Sequence, residues 1–142
     1  MITAIICAHN ESPRISPVLS ALTSCSLISE TIVVNDGSND NLEKVVKAFP
    51  RIKYLKNEVN QGKGYCMELA SKNTSADILL FCDADLTGLT PEIFKKVIDP
   101  VASGLCDMFI GIYYTPFHAF FDRFLSSLTR KHLLLCSLPT EL

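Results

Sequence analysis

Short apolar runs alternate with segments of helical periodicity along most of the chain, and this alternation limits the fold more than any other feature. The apolar runs are four to seven residues long, as is typical of strands in a parallel sheet covered on both faces. They are Ile2–Ala8, Thr31–Val34, Ile52–Leu55, Asp77–Cys82 and Asp107–Tyr113. The helix candidates between them are Ile15–Ser24, Asn41–Phe49, Lys63–Ser71 and Pro91–Ala102. This order predicts an α/β layer fold with right-handed crossovers.

Polar residues follow three of the predicted strands. They are His9, Asn10 and Glu11 after the first, Asn35 to Ser38 after the second, and Asp83 and Asp85 after the fourth. In open α/β sheets, ligands bind beyond the carboxyl ends of the strands. We therefore expect these three clusters to meet at one end of the sheet and to form a binding site.

The stretch "ILLFCDADLTGLT" places Asp83 and Asp85 directly after a hydrophobic strand. Two carboxylates in this arrangement suit a hard divalent cation with oxygen ligands, although aspartates are also common in turns. A calcium-binding EF-hand loop is excluded, because Thr87 stands at its fifth position and Phe94 replaces the bidentate glutamate.

The same residues also satisfy the D-x-D-x-T motif of haloacid-dehalogenase-type phosphatases. In that interpretation Asp83 would be the nucleophile and Asp85 the acid/base. The motif normally opens its domain, and the residues that complete its site follow it. Here 55 residues follow Thr87 and contain no adjacent acidic pair, so the phosphatase remains the weaker alternative.

The stretch "NQGKGYCMELA" is not a phosphate-binding Walker loop, since Asn57 stands where glycine is needed and Gly64 where serine or threonine is needed. A Gly-Lys-Gly sequence that opens a helix still brings backbone N–H groups and the Lys63 ammonium towards an anion. The alternative is a flexible loop with a solvated lysine. Asp36 would accept hydrogen bonds from a base or ribose, or form an ordinary Asx turn.

Charge and cysteine usage restrict the classes of partner. The formal net charge is -2, and no Lys/Arg cluster exceeds a pair, which argues against a nucleic-acid-binding surface. The six cysteines are scattered without a C-x-x-C pair, which predicts free thiols in a reducing compartment and no zinc site. The sequence shows neither a long apolar membrane span nor a signal peptide. We therefore expect a cytoplasmic protein.

Four motifs in this order resemble family 2 glycosyltransferases. "CAHNES" is similar to the family's P-x-x-N-E start, "IVVNDGSND" to V-V-D-D-G-S-x-D, "NQGKGYCMELA" to N-x-G-K-G-x-A-x-x-x-A, and "ILLFCDADL" to the D-x-D strand end. The resemblance covers residues 1 to about 113, and its "GKG" and "DADL" motifs are especially similar to those of polyprenyl-phosphate sugar transferases and glucosyl-3-phosphoglycerate synthase-like enzymes. It implies a GT-A fold, with a Rossmann-like, mostly parallel sheet and helices on both faces.

The resemblance also implies a reaction and a site. A nucleoside-diphosphate sugar, UDP- or GDP-linked, would transfer its sugar to a hydroxyl or phosphate acceptor. Asp36 would contact the base, Lys63 the base or phosphates, and Asp83 the nucleotide, while Asp85 would hold Mg²⁺ or Mn²⁺ against the diphosphate. The full implied set is Ala8, Asn10, Glu11, Asp36, Lys63, Asp83, Ala84 and Asp85.

Two departures from the family pattern affect these expectations. Asn35 stands where the family has an aspartate, and no catalytic base can be assigned, because Asp122 is the only acid between Asp107 and Glu141. We expect residues 1–142 to be a single nucleotide-sugar-binding domain without the usual C-terminal acceptor part. A non-catalytic nucleotide-binding remnant is the alternative. The apolar pattern of Phe117–Leu135 fits packing on the chain's own sheet, or docking on a membrane or a second subunit.

Overall fold

The computed structural model describes residues 1–111, in which strands and helices alternate four times. The strands are β1 (Ile2–Ala8), β2 (Glu30–Asp36), β3 (Ile52–Asn57) and β4 (Ile78–Phe81). The helices are α1 (Ile15–Ser24), α2 (Leu42–Lys47), α3 (Lys63–Ser71) and α4 (Pro91–Ala102). All eight correspond to elements that the sequence predicts.

The four strands form one parallel sheet in the order β3-β2-β1-β4. The chain runs outward from β1 through β2 to β3 and then returns to pair β4 with the free side of β1. The strand order therefore reverses between β1 and β4, and such a reversal opens a crevice at the carboxyl ends of the two strands. The register places Ala8 opposite Asn35, and Asp36 opposite Asn57, at that end of the sheet.

Helices cover both faces of the sheet. On one face α1, α2 and α4 bury their apolar side chains against the strands, and on the other face α3 is the only helix of residues 1–111 that does so. Because both faces are covered, β1, β2 and β4 are mostly apolar along their length. β3 lies at one edge of the sheet and carries the exposed lysines Lys53 and Lys56. The largest fully buried side chains include Phe94, Ile5, Ile6, Leu19 and Leu80.

Helix α4 shows how local sequence sets an element's bounds. The Thr90 hydroxyl accepts a hydrogen bond from the backbone N–H of Ile93 at 3.4 Å, which caps the helix. Pro91 occupies the first turn, where its missing N–H costs nothing. Phe94, Val97 and Ile98 are buried at helical spacing, so one face of α4 packs on the sheet.

Several predicted bounds are wrong. β2 and β3 extend to Asp36 and Asn57, because these two residues still pair across the sheet. Helix α2 ends at Lys47 and not at Phe49, since the Phe49 position precedes Pro50 and is disfavoured in a helix.

The predicted fifth strand, Asp107–Tyr113, is not observed over residues 107–111. Met108 and Phe109 pack against the core instead, so burial without sheet pairing accounts for the apolar run. Its last two residues lie outside the described residues, as do Asp122 and the segment Phe117–Leu135.

Two further features of residues 1–111 bear on the sequence-based expectations. None of the helices in this range is both long and apolar enough to span a bilayer. The five cysteines within the range are free thiols.

Candidate functional site

A cavity of about 140 Å³ opens at the carboxyl ends of β1 and β2, beside the point where the strand order reverses. Its lining comes from the end of β1 and the residue after it, the end of β2, the loop between β3 and α3, and the first residue of α3: Cys7, Ala8, His9, Asp36, Asn60, Gly62 and Lys63. A larger and more open depression, of about 610 Å³, lies along the surface of α2. It is lined by none of the predicted site residues. The smaller cavity is therefore the candidate site.

Asp36 is 4% exposed and ends β2. Its Oδ1 accepts hydrogen bonds from Asn57 Nδ2 and from the backbone N–H of Gln61, both at 2.8 Å. Its Oδ2 accepts from the backbone N–H of Gly62 at 2.8 Å. Burial raises the pKa of Asp36, but these hydrogen bonds together outweigh it and hold the pKa below its usual value. The carboxylate is therefore ionised at neutral pH and turned to the loop after β3.

Gly37 brings the same loop against the end of β2. It has a φ of +67°, and a Cβ at this position would lie 2.6 Å from the backbone nitrogen of Asn60 and the carbonyl carbon of Val59. Only glycine combines this conformation with so close a backbone approach. The Asp-Gly pair at residues 36 and 37 thus holds the loop after β3 by hydrogen bonds and by contact.

Asn35 has a structural role in the same turn. It is buried, donates from Nδ2 to the hydroxyl of Tyr54 at 2.7 Å, and accepts at Oδ1 from the backbone N–H of Ser38 at 2.9 Å. Both polar ends of the amide are used, and an aspartate would lack the donor that reaches Tyr54. This departure from the family pattern is therefore accommodated within the fold.

The turn after β1 is fixed by His9 and Asn10. His9 Nδ1 donates to the carbonyl oxygen of Asp36 at 2.7 Å, so Nε2 is the acceptor for Asn10 Nδ2 at 3.0 Å. Asn10 has a φ of 58°, in the left-handed region that asparagine tolerates. Its backbone N–H donates to Ser38 Oγ, and its Oδ1 accepts from the backbone N–H of Asn39, both at 2.9 Å. The loops after β1 and β2 are therefore tied together.

Glu11 contacts Arg14 through two parallel hydrogen bonds of 2.7 Å, from Nε to Oε2 and from Nη2 to Oε1. The guanidinium is more exposed than the carboxylate, at 60% against 19%. Hydrogen bonding and charge from Glu11 raise the pKa of Arg14, with a smaller contribution from the charge of Asp85. Arg14 is therefore paired with Glu11 in the turn after β1, and Asp85 is a more distant acid.

Lys63 lines the cavity and contacts a residue that follows β4. Lys63 Nζ contacts Asp83 Oδ1 at 2.5 Å, with the lysine 46% exposed and the aspartate 14% exposed. Ala84 is buried in the core, whereas Asp85 is exposed to solvent. The two aspartates of the motif thus have different surroundings: Asp83 lies beside an ammonium, and Asp85 is open to a ligand.

Three thiols report the environment at this end of the sheet. Burial is the main cause that raises the pKa of Cys7 to about 11, and the carboxylates of Asp36 and Asp83 raise it further while Lys63 opposes them. Burial likewise raises the pKa of Cys66 and of Cys82 to about 12. All three thiols are therefore protonated at neutral pH, beside a cluster of acids in which Lys63 is a compensating cation.

The oxygen ligands at this end fit a divalent cation that is shared with a ligand. Within residues 1–111, no group of three histidine, cysteine, aspartate or glutamate side chains could by itself hold a metal ion. Mg²⁺ in proteins is commonly held by one or two carboxylates together with substrate phosphates. The exposed carboxylate of Asp85 can supply such a ligand, and the remaining oxygens would come from the bound molecule and water.

The structure brings most of the predicted site residues to one end of the sheet. Ala8, Asp36 and Lys63 line the cavity. Asp83 does not line it but contacts Lys63. Ala84 lies in the core, so its side chain does not face the cavity. Asn10 and Glu11 lie in the adjoining turn, where their side chains contact neighbouring residues of the protein.

Sequence reasoning missed two partners at this end. Arg14 follows Glu11 by three residues, and the spacing of opposite charges at i and i+3 would have indicated the pair. Asn57 pairs with Asp36 across the sheet, and only the full length of β2 and β3 reveals that register.

Comparison with known sequences gives a family over nearly the whole chain. The model of glycosyl transferase family 2 matches residues 3–139, beyond the predicted limit near residue 113. A dolichyl-phosphate beta-glucosyltransferase of Trichomonas vaginalis is 33% identical over 96 residues, which covers 58% of this chain. A 4,4'-diaponeurosporenoate glycosyltransferase of Staphylococcus haemolyticus is 34% identical over 106 residues, which covers 71% of this chain. The chain spans 28% of the length of each of these relatives.

Solved structures of glucosyl-3-phosphoglycerate synthase from Mycobacterium tuberculosis share the fold. One of them, in complex with Mn²⁺, uridine-diphosphate-glucose and phosphoglyceric acid, superposes with a TM-score of 0.68 at 26% identity. The match covers 78% of this chain and 44% of that chain. The predicted GT-A fold, a mostly parallel α/β sheet, is confirmed. From the family match and this structural likeness, the chain belongs to glycosyl transferase family 2.

Proposed function

We propose that this chain binds a nucleoside-diphosphate sugar at the carboxyl ends of β1, β2 and β4 and transfers the sugar to a hydroxyl or phosphate acceptor. The observation that carries the proposal is the convergence of a cavity, an ammonium and an exposed carboxylate where the strand order reverses. Uridine-diphosphate-glucose and Mn²⁺ in the complex of the synthase from M. tuberculosis support a UDP-linked donor and a divalent metal. A GDP-linked donor is the alternative.

Asp85 would hold the metal, Mn²⁺ or Mg²⁺, against the diphosphate. When bound, the metal acts as a Lewis acid that stabilises the charge gained by the departing nucleoside diphosphate. Asp85 is suited to this role because it is exposed and lies in the turn that follows β4, the strand that borders the crevice. Asp83 would bond the nucleotide from its position beside Lys63.

Lys63 would bind the phosphates. Its ammonium already lies at the cavity, next to Asp83, and a diphosphate that enters brings more negative charge than one carboxylate carries. Charge-assisted hydrogen bonds between an ammonium and phosphate oxygens are among the stronger interactions in proteins. The turn with Ala8, Asn10 and Glu11 would complete the nucleotide pocket on the other side.

Calorimetric titration with UDP tests this function, with Mn²⁺ present or replaced by EDTA. We expect binding that requires the metal and that Asp85→Ala weakens at least about tenfold, since a metal ligand is lost. Asp99→Ala is the matched control, because Asp99 is an exposed acid on α4 and belongs to no part of the proposed site. Equal metal-dependent binding by wild type and Asp85→Ala would overturn the assignment.

Binding without transfer is the second candidate, since no catalytic base is assigned among residues 1–111. A coupled assay for release of UDP from UDP-glucose, with a pool of phosphate and hydroxyl acceptors, separates the two. Release that depends on acceptor supports the transferase, and binding without release supports the nucleotide-binding remnant. The family match favours both over the D-x-D-x-T phosphatase.

Location and partners are also part of the proposal. A reducing, cytoplasmic location is proposed from the scattered cysteines of the sequence. Contact with a membrane, or with a second copy through residues 117–135, remains a prediction that concerns residues outside the described range.

A further inference from the structure

We infer that one edge of the sheet docks on an anionic lipid surface. The docking surface consists of helix α2, the loop after it and strand β3, and we call it the basic edge. Its cations are Lys44, Lys47, Arg51, Lys53 and Lys56. The inference does not rest on the proposed function. It lies within residues 1–111 and is separate from the predicted contact through residues 117–135.

The basic edge has a charge opposite to that of the rest of the chain. Residues 43–56 contain the five cations and one acid, Glu43, so their formal net charge is +4. A net charge of -2 for the whole chain therefore leaves -6 for the other residues. The Debye length is about 8 Å at physiological ionic strength, so charges on the far side of the domain are largely screened from a partner at this edge. The local charge therefore decides what the basic edge attracts.

The fold brings together cations that are scattered along the sequence. Lys44 and Lys47 lie three residues apart in α2 and are neighbours on its surface, and Arg51 follows in the next loop. Glu43 contacts Lys47 Nζ at 2.6 Å and Lys56 Nζ at 3.7 Å, so the end of β3 lies beside α2. All five cationic residues of the basic edge are exposed. They therefore form one continuous surface.

Protection of the sheet edge explains only part of this set. Within the described sheet, β3 pairs with β2 alone, and exposed lysines on an edge strand prevent it from pairing with other chains. This accounts for Lys53 and Lys56. It does not account for Lys44, Lys47 and Arg51, which lie outside β3. Of these three, only Lys47 forms an ion pair within residues 1–111.

The side chains around the cations favour a lipid surface over a protein or a nucleic acid. Protein interfaces are centred on apolar and aromatic anchors, but the aromatic residues of this edge, Phe49 and Tyr54, pack against the core. For the same reason, residues 43–56 present no exposed ring for stacking on bases. Val59, two residues after β3, is 62% exposed, and its aliphatic side chain can enter a headgroup layer beside the cations. Clustered cations attract anionic headgroups without a specific pocket.

Co-sedimentation of the full chain with lipid vesicles tests the inference. The vesicles are phosphatidylcholine alone, or phosphatidylcholine with about 30% phosphatidylserine as the anionic lipid. We expect binding to the vesicles that contain phosphatidylserine, and we expect it to weaken as the salt concentration rises, because salt screens the attraction. Equal binding to both kinds of vesicle, or binding to neither, would overturn the inference.

Two double variants locate the contact. Lys44→Ala with Arg51→Ala removes two charges from the basic edge and should lower the vesicle partition coefficient roughly tenfold or more. Lys95→Ala with Lys96→Ala is the charge-matched control, because it removes two exposed charges from α4, which packs beside β4 at the opposite side of the described sheet. The control should lower the coefficient less than about twofold. Equal losses would show that binding follows the net charge of the chain and would overturn the inference.

Duplex DNA at the same salt concentration is the competing ligand. Binding of DNA that is lost in the variant of Lys44 and Arg51, without binding to phosphatidylserine vesicles, would assign the basic edge to nucleic acid and overturn the lipid contact. UDP–Mn²⁺ affinity should be the same in the wild type and in both double variants, since none of the four residues lines the cavity. If the wild type binds no nucleoside diphosphate, the proposed function fails, while the vesicle experiment still decides whether the basic edge docks on lipid.

Discussion

The two ends of the parallel sheet both carry acids, but they use them differently. At the amino end, Glu30 accepts hydrogen bonds from the hydroxyls of Thr3 and Thr74, at 3.1 and 2.9 Å. Asp77 pairs there with the N-terminal ammonium of Met1 at 2.6 Å. These acids join the starts of neighbouring strands and border none of the cavities described above.

At the carboxyl end, the acids surround a cavity and contact loops. Asp36 holds the loop after β3, Glu11 holds Arg14, and Asp83 contacts Lys63. Asp85 is exposed. The comparison shows that a parallel α/β sheet can use the same residue type to close one end and to build a site at the other, because only the carboxyl end faces the crevice where the strand order reverses.

The largest effect expected at the carboxyl end of the sheet is on the reactivity of Cys7, a thiol that lines the cavity. Burial, with the nearby acids, raises its pKa to about 11, so little thiolate exists at pH 8. We expect alkylation by iodoacetamide at pH 8 to be about 100-fold slower than in the urea-unfolded chain, and to accelerate towards pH 11. Peptide mass spectrometry measures the rate at Cys7. Equal rates in folded and unfolded chains would show that the thiol does not lie in this environment.

The second prediction concerns the ammonium at the carboxyl end. Lys63→Ala should weaken UDP–Mn²⁺ binding roughly tenfold or more, through loss of a charge-assisted contact. It should change the free energy of unfolding by less than about 1 kcal/mol, because the Lys63 side chain is 46% exposed. Lys72→Ala, at the C-cap of the same helix and paired with Glu68, is the control for calorimetry and urea unfolding. An equal loss of UDP–Mn²⁺ affinity in Lys63→Ala and Lys72→Ala would show that Lys63 has no specific role in the site.

The third prediction concerns the amino end. Glu30→Ala should lower the free energy of unfolding by about 1–3 kcal/mol, because the buried hydroxyl of Thr3 and that of Thr74 lose an acceptor. UDP–Mn²⁺ affinity should stay unchanged in the variant. Urea unfolding and calorimetry measure the two quantities. A loss of affinity without a loss of stability would reverse the roles assigned to the two ends.

The smallest effect is confined to acid pH and concerns Asp36. Its folded-state pKa is lowered, so its contribution to stability is fully present above the unfolded-state pKa and is lost as pH falls through the folded-state value. The difference in free energy of unfolding between wild type and Asp36→Asn should be constant above about pH 5 and shrink below about pH 4. Urea unfolding between pH 3 and pH 7 measures it. A difference that grows as pH falls would mean that the carboxylate is destabilised by folding.

The sequence predicts the end of the sheet that carries the site because strand ends are visible as abrupt changes from apolar to polar residues. The changes after Ala8 and after Cys82 are of this kind. The start of α3 at Lys63 and the cap at Thr90 follow from local sequence in the same way. Strand ends and helix starts are local features, and local sequence suffices to find them.

What the sequence cannot predict depends on pairing between distant residues. The role of Asp36 depends on the register with Asn57 and on a loop 25 residues further along the chain, as its contact with Gln61 shows. Ala84 stands between the two aspartates of the motif, yet it packs into the core. The run Asp107–Tyr113 is apolar enough for a strand, but whether it pairs is decided by the neighbouring strands and not by its composition.

Paramagnetic broadening by Mn²⁺ in the presence of UDP tests most directly whether the carboxyl end is the donor site. In the ¹⁵N-labelled chain we predict that added UDP–Mn²⁺ broadens the amide signals of residues 8–11, 62–64 and 83–86. The signals of Thr3, Glu30, Thr74 and Asp77, at the amino end, should broaden far less, because paramagnetic relaxation falls steeply with distance from the ion, and Mg²⁺ should produce shifts without broadening. Broadening that is as strong at the amino end as at residues 83–86, or none at residues 83–86, would contradict the account.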